Sequence, residues 1–500
     1  SWEVSGGGVD YRATREYSAG RAPQGQPALV FVVDVSHAAV ASGMLQAVVE
    51  GLRAAVASGR LPGDARVGVV TFDATAVHFY RLGAGPGQAL QMLVMSDLED
   101  VFAPLRGEQF LLELAGREDS LLALLDALPG GFRDAAPAGD ACLGAAVESA
   151  ALAMGGLGGR MLVFGAGAMA ARADGKAYAG LAEQLAQSMV SVDAFVGGDC
   201  GDSGLEQLTP LWRGTGGDVW LYPAFSARYP GCTPPGEGLE PEGAALRSEV
   251  LHALTREAVR EAELVVRVSC GWQIGRICGH FAAKREDHLR VPNCHADQTF
   301  HIVLNQEHAA GAAPCTLLCV QAALLYTGGD GERRIRVHTW AGVTTPHMTE
   351  ALASVDGQAA TALVAALTAE RSLASLQEAR SELAERCGRL VKAARTAGGE
   401  RLWMLPVALL GLLKSPALRA AADLGPHLRI AACCRLETLS VARAAAYCYP
   451  RLVALHGGSQ AEGQDFDAAP HGLRLTGESV SPDGAYLLDD GASLLLFVGT

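Results

Sequence analysis

The sequence predicts a multidomain α/β chain, and three observations carry that expectation. Its 500 residues exceed what one hydrophobic core serves, since cores stop growing near ~250–300 residues. From Ala28 to about Tyr222, apolar strand-like runs alternate with helix-periodic segments, the pattern of a mostly parallel sheet covered on both faces. After the Pro/Gly-rich stretch "YPGCTPPGEGLEPEG", strands follow one another without helices, as in a β-sandwich.

In order, "ALVFVVDV", "RVGVVTF", "AVHFYRL", "RMLVFG", "VSVDAFV" and "DVWLYP" read as strands, and "MLQAVVEGLRAAVA", "SLLALLDAL", "CLGAAVESAALAM" and "LAEQLAQSM" as helices. The stretch "VTFDATAVHF" sets two strands too close for a parallel crossover, so they form an antiparallel hairpin. One early hairpin in an otherwise parallel sheet is typical of von Willebrand A-type domains. The expected divisions are a lead-in at 1–24 that joins the sandwich, an A-type domain at 25–258 and a β-sandwich at 259–345. The sandwich strands are "AELVVRVSC", "TFHIVLN", "CTLLCVQAALLYT" and "RRIRVHTW". A helical domain follows at 346–455, broken by "TAGG", and strands return in "AYLLDDGASLLLFVG" within 456–500.

Composition narrows the function. Hydrophobic residues make up 49% and charged residues 19%, which suits a folded chain and argues against long disorder. A formal charge of −14 argues against a surface given over to nucleic acid or anionic lipid. Twelve cysteines are scattered without a C-x-x-C pair, as expected of reduced core residues in a cytosolic protein. The most apolar segment, "LWMLPVALLGLL", is shorter than the ~20 residues of a membrane span. The start "SWEVSGGGVDYRATREYS" lacks the apolar core of a signal peptide. Both ends read as lying within a longer protein.

The first strand ends in Asp34-Val35-Ser36, where A-type domains grip Mg²⁺ with hard oxygens from three loops. Here the second serine of D-x-S-x-S is Ala38, the threonine position falls on Ala141, and the later strand ends in Gly165 instead of aspartate. Too few oxygens remain for a cation that demands near-octahedral coordination, so no metal is expected, and Asp34 and Ser36 are expected to cap the following turn or helix. "VFGAGAMAA" fits G-x-G-x-x-A (Gly165, Gly167, Ala170), with Glu183 beyond. In a chain this rich in Gly and Ala the match is weak, and the dinucleotide fingerprint opens its domain instead of following several strands.

No nucleophile elbow, zinc-protease or Walker motif is present. "CGHF" and "PNCHAD" place Cys beside His without zinc-ribbon spacing, and read as core or turn residues. In "GERRIRVHTW", strand alternation puts Arg334, Arg336 and His338 on one face and Arg333, Ile335 and Val337 on the other. The stripe is either a solvated edge or a receptor for acidic peptide or phosphate groups, which guanidinium pairs bidentately.

The ordered motifs "VFVVDVS", "MLVMSDLEDVFAPL", "GGLGGRMLVF", "LTPLWRGTGGDVWLYPAF", "GRICGHF", "ERRIRVHT" and "AYLLDDGASLLLFVG" span nearly the whole chain. Together they resemble the cargo-adaptor subunit of the COPII inner coat, the Sec-twenty-four type, more than its Sec-twenty-three-type paralogue. The resemblance implies an α/β trunk, β-sandwich, helical domain and, at 456–500, the start of a gelsolin-like domain. It implies no enzyme, but a coat component that selects cargo for transport from endoplasmic reticulum to Golgi. The implied partners are a Sec-twenty-three-type subunit docked on the trunk, cytosolic tails of cargo and SNARE proteins, indirectly a Sar-type GTPase, and the endoplasmic reticulum membrane peripherally. No cofactor is implied, because the family's N-terminal zinc ribbon is not in this sequence. The family's R-x-R pair for acidic exit signals falls on Val265 and Arg267, which leaves one guanidinium where there are two. Arg267 is therefore the first candidate for cargo contact, with Arg334 and Arg336 next. Two other readings remain, a Rossmann-like nucleotide-dependent oxidoreductase using Gly165–Ala170 and a metal-dependent A-type adhesion module.

Overall fold

A computed structural model describes residues 7–18, 28–62, 64–83, 90–168, 175–198, 205–223, 225, 241–306, 317–397, 402, 404–420, 424–455 and 473–499. The first elements are β1 (Gly8–Arg12), β2 (Ala28–Asp34), α1 (His37–Ala41), α2 (Met44–Ala57), β3 (Arg66–Phe72), β4 (Val77–Arg81), β5 (Gln91–Met95) and β6 (Leu112–Glu113). Then come α3 (Glu118–Gly131), α4 (Leu143–Met154), β7 (Gly159–Ala166), α5 (Gly175–Gln187), β8 (Val190–Gly197), α6 (Leu205–Thr215), β9 (Val219–Tyr222) and α7 (Pro241–Thr255).

Strands order as β5-β4-β3-β2-β7-β8-β9, with β6 paired to β3. β2, β3, β7, β8 and β9 run parallel, and β4 and β5 fold back antiparallel. Every residue of β2, β7 and β8 is buried, which is why these strands read as mostly apolar runs, with Asp34, Arg160, Ser191 and Asp193 as buried polar exceptions. Phe31, Leu162 and Phe164 meet α2, α3 and α7 through Leu52, Leu125 and Val250. The alternate residues Val30, Val32, Met161 and Val163 are equally buried, and α4 rests on β2 and β3. A Cβ at Gly159 would stand 2.2 Å from the Ala28 carbonyl oxygen, so only glycine lets β7 start against β2.

Sequence periodicity misses β5, β6 and α6. β5 exposes Met92 and Val94 instead of alternating cleanly, and α6 carries Pro210 in its interior, a residue that ordinarily ends a helix.

The sandwich comprises β10 (Ala258–Val268), β11 (Trp272–Cys278), β12 (Ala282–Arg285), β13 (His288–His295), β14 (His301–Gln306), β15 (Leu317–Thr327) and β16 (Arg333–Val343). One sheet has the order β1-β16-β15-β10-β13-β12, and β11 pairs with β14. β1 lies antiparallel to β16, with Val9 opposite Val337, so a strand from before the α/β domain completes this sheet. β11, β12 and β13 are also missed from sequence: exposed and half-buried positions dilute the two-residue period in β11 and β12, while β13 is mostly buried but fills buried positions with His288, Asn293 and His295.

The α/β domain and sandwich form one compact unit, and most of the remaining chain forms another. The second holds α8 (Met348–Ala353), α9 (Gly357–Ala374), α10 (Leu376–Ala397), α11 (Leu405–Lys414), most of α12 (Pro426–Thr438) and α13 (Val441–Cys448), then β17 (Arg451–Ala454), β18 (Ala485–Asp489) and β19 (Leu494–Val498). Its helices pack through Ala365, Leu383, Leu409, Leu412 and Leu418. Asp356 caps α9 by accepting from the backbone N–H groups of Gln358 and Ala359. One correction applies here: residues 451–454, read as helical from sequence, form β17 and pair with β18. "RLVA" is too short for periodicity to separate helix from strand.

Candidate functional site

The carboxyl end of β2 is where an open parallel sheet offers a crevice, because the neighbouring connections run to opposite sides there. Asp34 is buried at that point. Its Oδ1 accepts from Ser36 N–H at 2.8 Å and its Oδ2 from Ala166 N–H at 2.9 Å. Both oxygens are therefore spent on backbone, and they tie the end of β2 to the end of β7. Ser36 caps α1, with its Oγ accepting from Ala39 N–H at 3.4 Å. The capping expected of both residues is found, since Asp34 accepts from Ser36 N–H in the turn after β2 and Ser36 caps α1, while the second Asp34 oxygen also struts across to β7. Burial, opposed by those hydrogen bonds, pushes the Asp34 carboxyl up to about 6. Removal from water disfavours the charged form and raises a carboxyl in this way.

Above this point lies a crevice of about 580 Å³ lined by Ser36, His37, Ala38, Asp73, Thr75, Asp140 and Ala141, among others. Asp73 is turned to local work: its Oδ1 accepts from Thr75 N–H, Thr75 Oγ1 and Ala76 N–H, which shapes the β3–β4 turn. Among the described residues, no group of three His, Cys, Asp or Glu side chains is placed to hold a metal ion. In the dinucleotide-like stretch, Gly165 lies within β7 and Gly167 takes φ +68°, while Ala170 lies outside the described residues.

The three candidate cargo arginines do not form one site. In the pairing register Arg267 stands opposite Gln321, which stands opposite Thr339. Arg334 and Arg336 stand opposite Tyr326 and Leu324, so they lie on the other face of the sheet. Their charges are also engaged at home. The Nε of Arg336 donates to Asp10 Oδ1 at 2.9 Å, and a second guanidinium nitrogen donates to Oδ2; Arg334 pairs with Asp330 and Glu332. Each supplies a rung between β16 and its surroundings. Arg267 is exposed and has no ion-pair partner among the described residues. Val265, two residues earlier, shares its face and is half-buried beside β13 and β15.

One polar constellation escaped the sequence reading. "CGHF" and "PNCHAD" converge where the sandwich meets the α/β sheet. His280 Nδ1 lies 2.7 Å from the Gly217 carbonyl oxygen, and His295 Nε2 lies 3.1 Å from Asp218 Oδ2. Arg256 Nη1 donates to the same carboxylate oxygen at 2.9 Å. Asp218 N–H donates to Asp193 Oδ1, and the other Asp193 oxygen takes Arg160 at 2.5 Å. Asn293 donates to the Gly159 carbonyl and to Ser191. This is a buried, charge-assisted junction between domains. The signal in sequence was the repeated Cys-His pairing, but nothing there gave its shared carboxylate.

Three family models match the chain: the Sec23/Sec24 trunk domain over residues 24–174, the Sec23/Sec24 beta-sandwich domain over 260–345 and the Sec23/Sec24 helical domain over 356–446. Protein transport protein SEC24 A of Arabidopsis thaliana is 30% identical over 99% of this chain and 50% of its own length. Protein transport protein Sec24A of Bos taurus is 30% identical over 99% of this chain and 47% of its own. The chain therefore spans about half the length of these curated relatives. The crystal structure of the human COPII-coat protein Sec24c shares the fold, with a TM-score of 0.82 at 22% identity over 99% of this chain and 68% of that one. With trunk, sandwich and helical domains in the family's order along one polypeptide, the chain belongs to the Sec23/Sec24 family.

Proposed function

We propose that the chain is a cargo-selecting component of the COPII coat in transport from endoplasmic reticulum to Golgi. It works without catalysis, as a heterodimer with a Sec23-type subunit. The supporting observation is the match to transport proteins along the whole chain, joined to an α/β domain whose Asp34 oxygens are committed to backbone. A sheet so braced offers a rigid platform for another protein and needs no ion. Arg267 is the proposed contact for an acidic cargo signal, since its guanidinium is exposed while Arg334 and Arg336 serve the sandwich. Recruitment by a Sar-type GTPase is indirect, through the Sec23-type partner, and the complex works on the cytoplasmic face of endoplasmic reticulum exit sites.

The test is co-purification of the folded chain with a Sec23-type subunit, followed by binding of the pair to Sar-GTP on liposomes. A folded chain that fails to bind the Sec23-type subunit overturns the proposal.

A further inference from the structure

Arg267 shares its face of the sandwich sheet with several other cations, which the pairing register identifies. Val265 and Glu263 lie on that face at two-residue intervals before Arg267 and stand opposite His288 and Arg290 of β13. His288 in turn stands opposite Arg285 of β12. Arg285, His288 and Val265 therefore form one row across three strands, and Arg267 begins the next.

Most of the charges around this row are held within the sheet. A single carboxylate, Glu263, lies 3.4 Å from Lys284 Nζ, 3.0 Å from His288 Nε2 and 3.6 Å from Arg290 Nε. Arg285 and Arg267 are both exposed, and among the described residues neither has an acidic partner. An irregularity in β12 between Ala283 and Arg285 re-aims Lys284 toward Glu263 and leaves Arg285 in the row of His288. The turn that follows carries Glu286 and Asp287, whose carboxylates form no ion pair with either arginine among the described residues. The Asp287 carbonyl accepts from Val266 N–H at 2.9 Å, which pins this turn, and Arg285 with it, beside β10.

We propose that Arg285 is the second cation of the acidic-signal site, which therefore takes a peptide whose two carboxylates are four residues apart instead of two. The inference rests on the reading of Arg267 as a cargo contact and deepens it. Two arginines spaced R-x-R stand ~7 Å apart on one strand and match carboxylates at i and i+2 of an extended peptide, which has the same period. Arg267 and Arg285 are two strands and two residues apart, so their Cα atoms are separated by roughly 12 Å, close to the ~13 Å between i and i+4. Val265 has no charge and His288 is committed to Glu263, so a carboxylate at i+2 gains no guanidinium between them. An unpaired charge of that kind is what discriminates against the shorter spacing.

The probes are two labelled synthetic peptides of equal charge, each with two glutamates in a Ser/Gly/Ala background, placed two or four residues apart. Fluorescence anisotropy on the full chain at low ionic strength should show the wider peptide binding about fivefold more tightly, the upper end for one exposed charge pair. Arg285→Gln should erase that preference and Arg285→Lys restore most of it, with unchanged thermal melts. Arg267→Gln should weaken both peptides. Equal binding of the two spacings, or an Arg285→Gln variant that binds like wild type, overturns the role of Arg285 and leaves the Arg267 contact standing. No binding of either peptide overturns both. Co-purification with a Sec23-type subunit needs neither arginine, so its outcome judges the coat reading separately.

Discussion

His295 Nε2 and Asp218 Oδ2 meet at 3.1 Å, joining the last residue of β13 to the residue before β9. Burial raises the Asp218 carboxyl, but the His295 contact and the positive charges of His295, Arg256 and His280 outweigh it and hold the group well below the usual carboxylate range.

Asp218→Asn should therefore destabilise the first unit by on the order of 3 kcal/mol, the cost of stranding the buried Arg256 guanidinium. Urea unfolding at neutral pH measures this. Because the folded value is depressed, the stabilisation is complete above the ordinary carboxylate value near ~3.9 and is lost as pH falls below it. Wild type should lose stability below about pH 4 more steeply than Asp218→Asn.

Asp34 has the opposite sign. Its folded value, about 6, lies above the unfolded one, so the native state holds the extra proton between the two. Stability should rise as pH is lowered through 6 and decline as pH is raised through it, by on the order of 2–3 kcal/mol in all. Denaturation midpoints measured across that window should show the slope in wild type and lack it in Asp34→Asn. An identical slope in the variant would assign the effect to another group.

Metal removal should change nothing. With the Asp34 oxygens taken by Ser36 and Ala166 N–H groups, neither Mg²⁺ nor a chelator should shift the melting temperature, since only a ligand of the native state raises it. A chelator-sensitive melt would mean that those hydrogen bonds give way to an ion.

Charge reversal at Arg267 separates binding from stability. Arg267→Glu should weaken an acidic signal peptide about tenfold or more, as loss of a hydrogen bond to a charged group predicts, with an unchanged melt. Arg336→Gln should leave peptide binding intact and change stability by ~0–1 kcal/mol, the value of a largely exposed pair such as Arg336–Asp10. Titrations and melts of the two variants side by side decide which arginine faces cargo.

Much of the fold was legible because strands buried on both faces are mostly apolar, as β2, β7 and β8 are apart from Asp34, Arg160, Ser191 and Asp193. The hairpin of β3 and β4 was legible because its linker is too short for any other connection. β5, β11 and β12 were not, because half-exposed strands carry no clean period, nor was β13, whose buried positions include His288, Asn293 and His295. The candidate site was legible in part. Alternation correctly separated Arg334 and Arg336 from Arg333 and Ile335, but no local pattern tells which face of a neighbouring strand Arg267 will share.

The sequence by itself determined the domain order and the thinning of oxygens around Asp34, since both reside in residue identity and short-range spacing. Only the tertiary structure decided that Asp34 spans to Ala166, that β1 closes the sheet beside β16, that His280 and His295 gather at Asp218, and that Arg336 is neutralised by Asp10. These pairings join residues far apart along the chain, and such contacts follow from how surfaces pack, a property that no local window of residues contains.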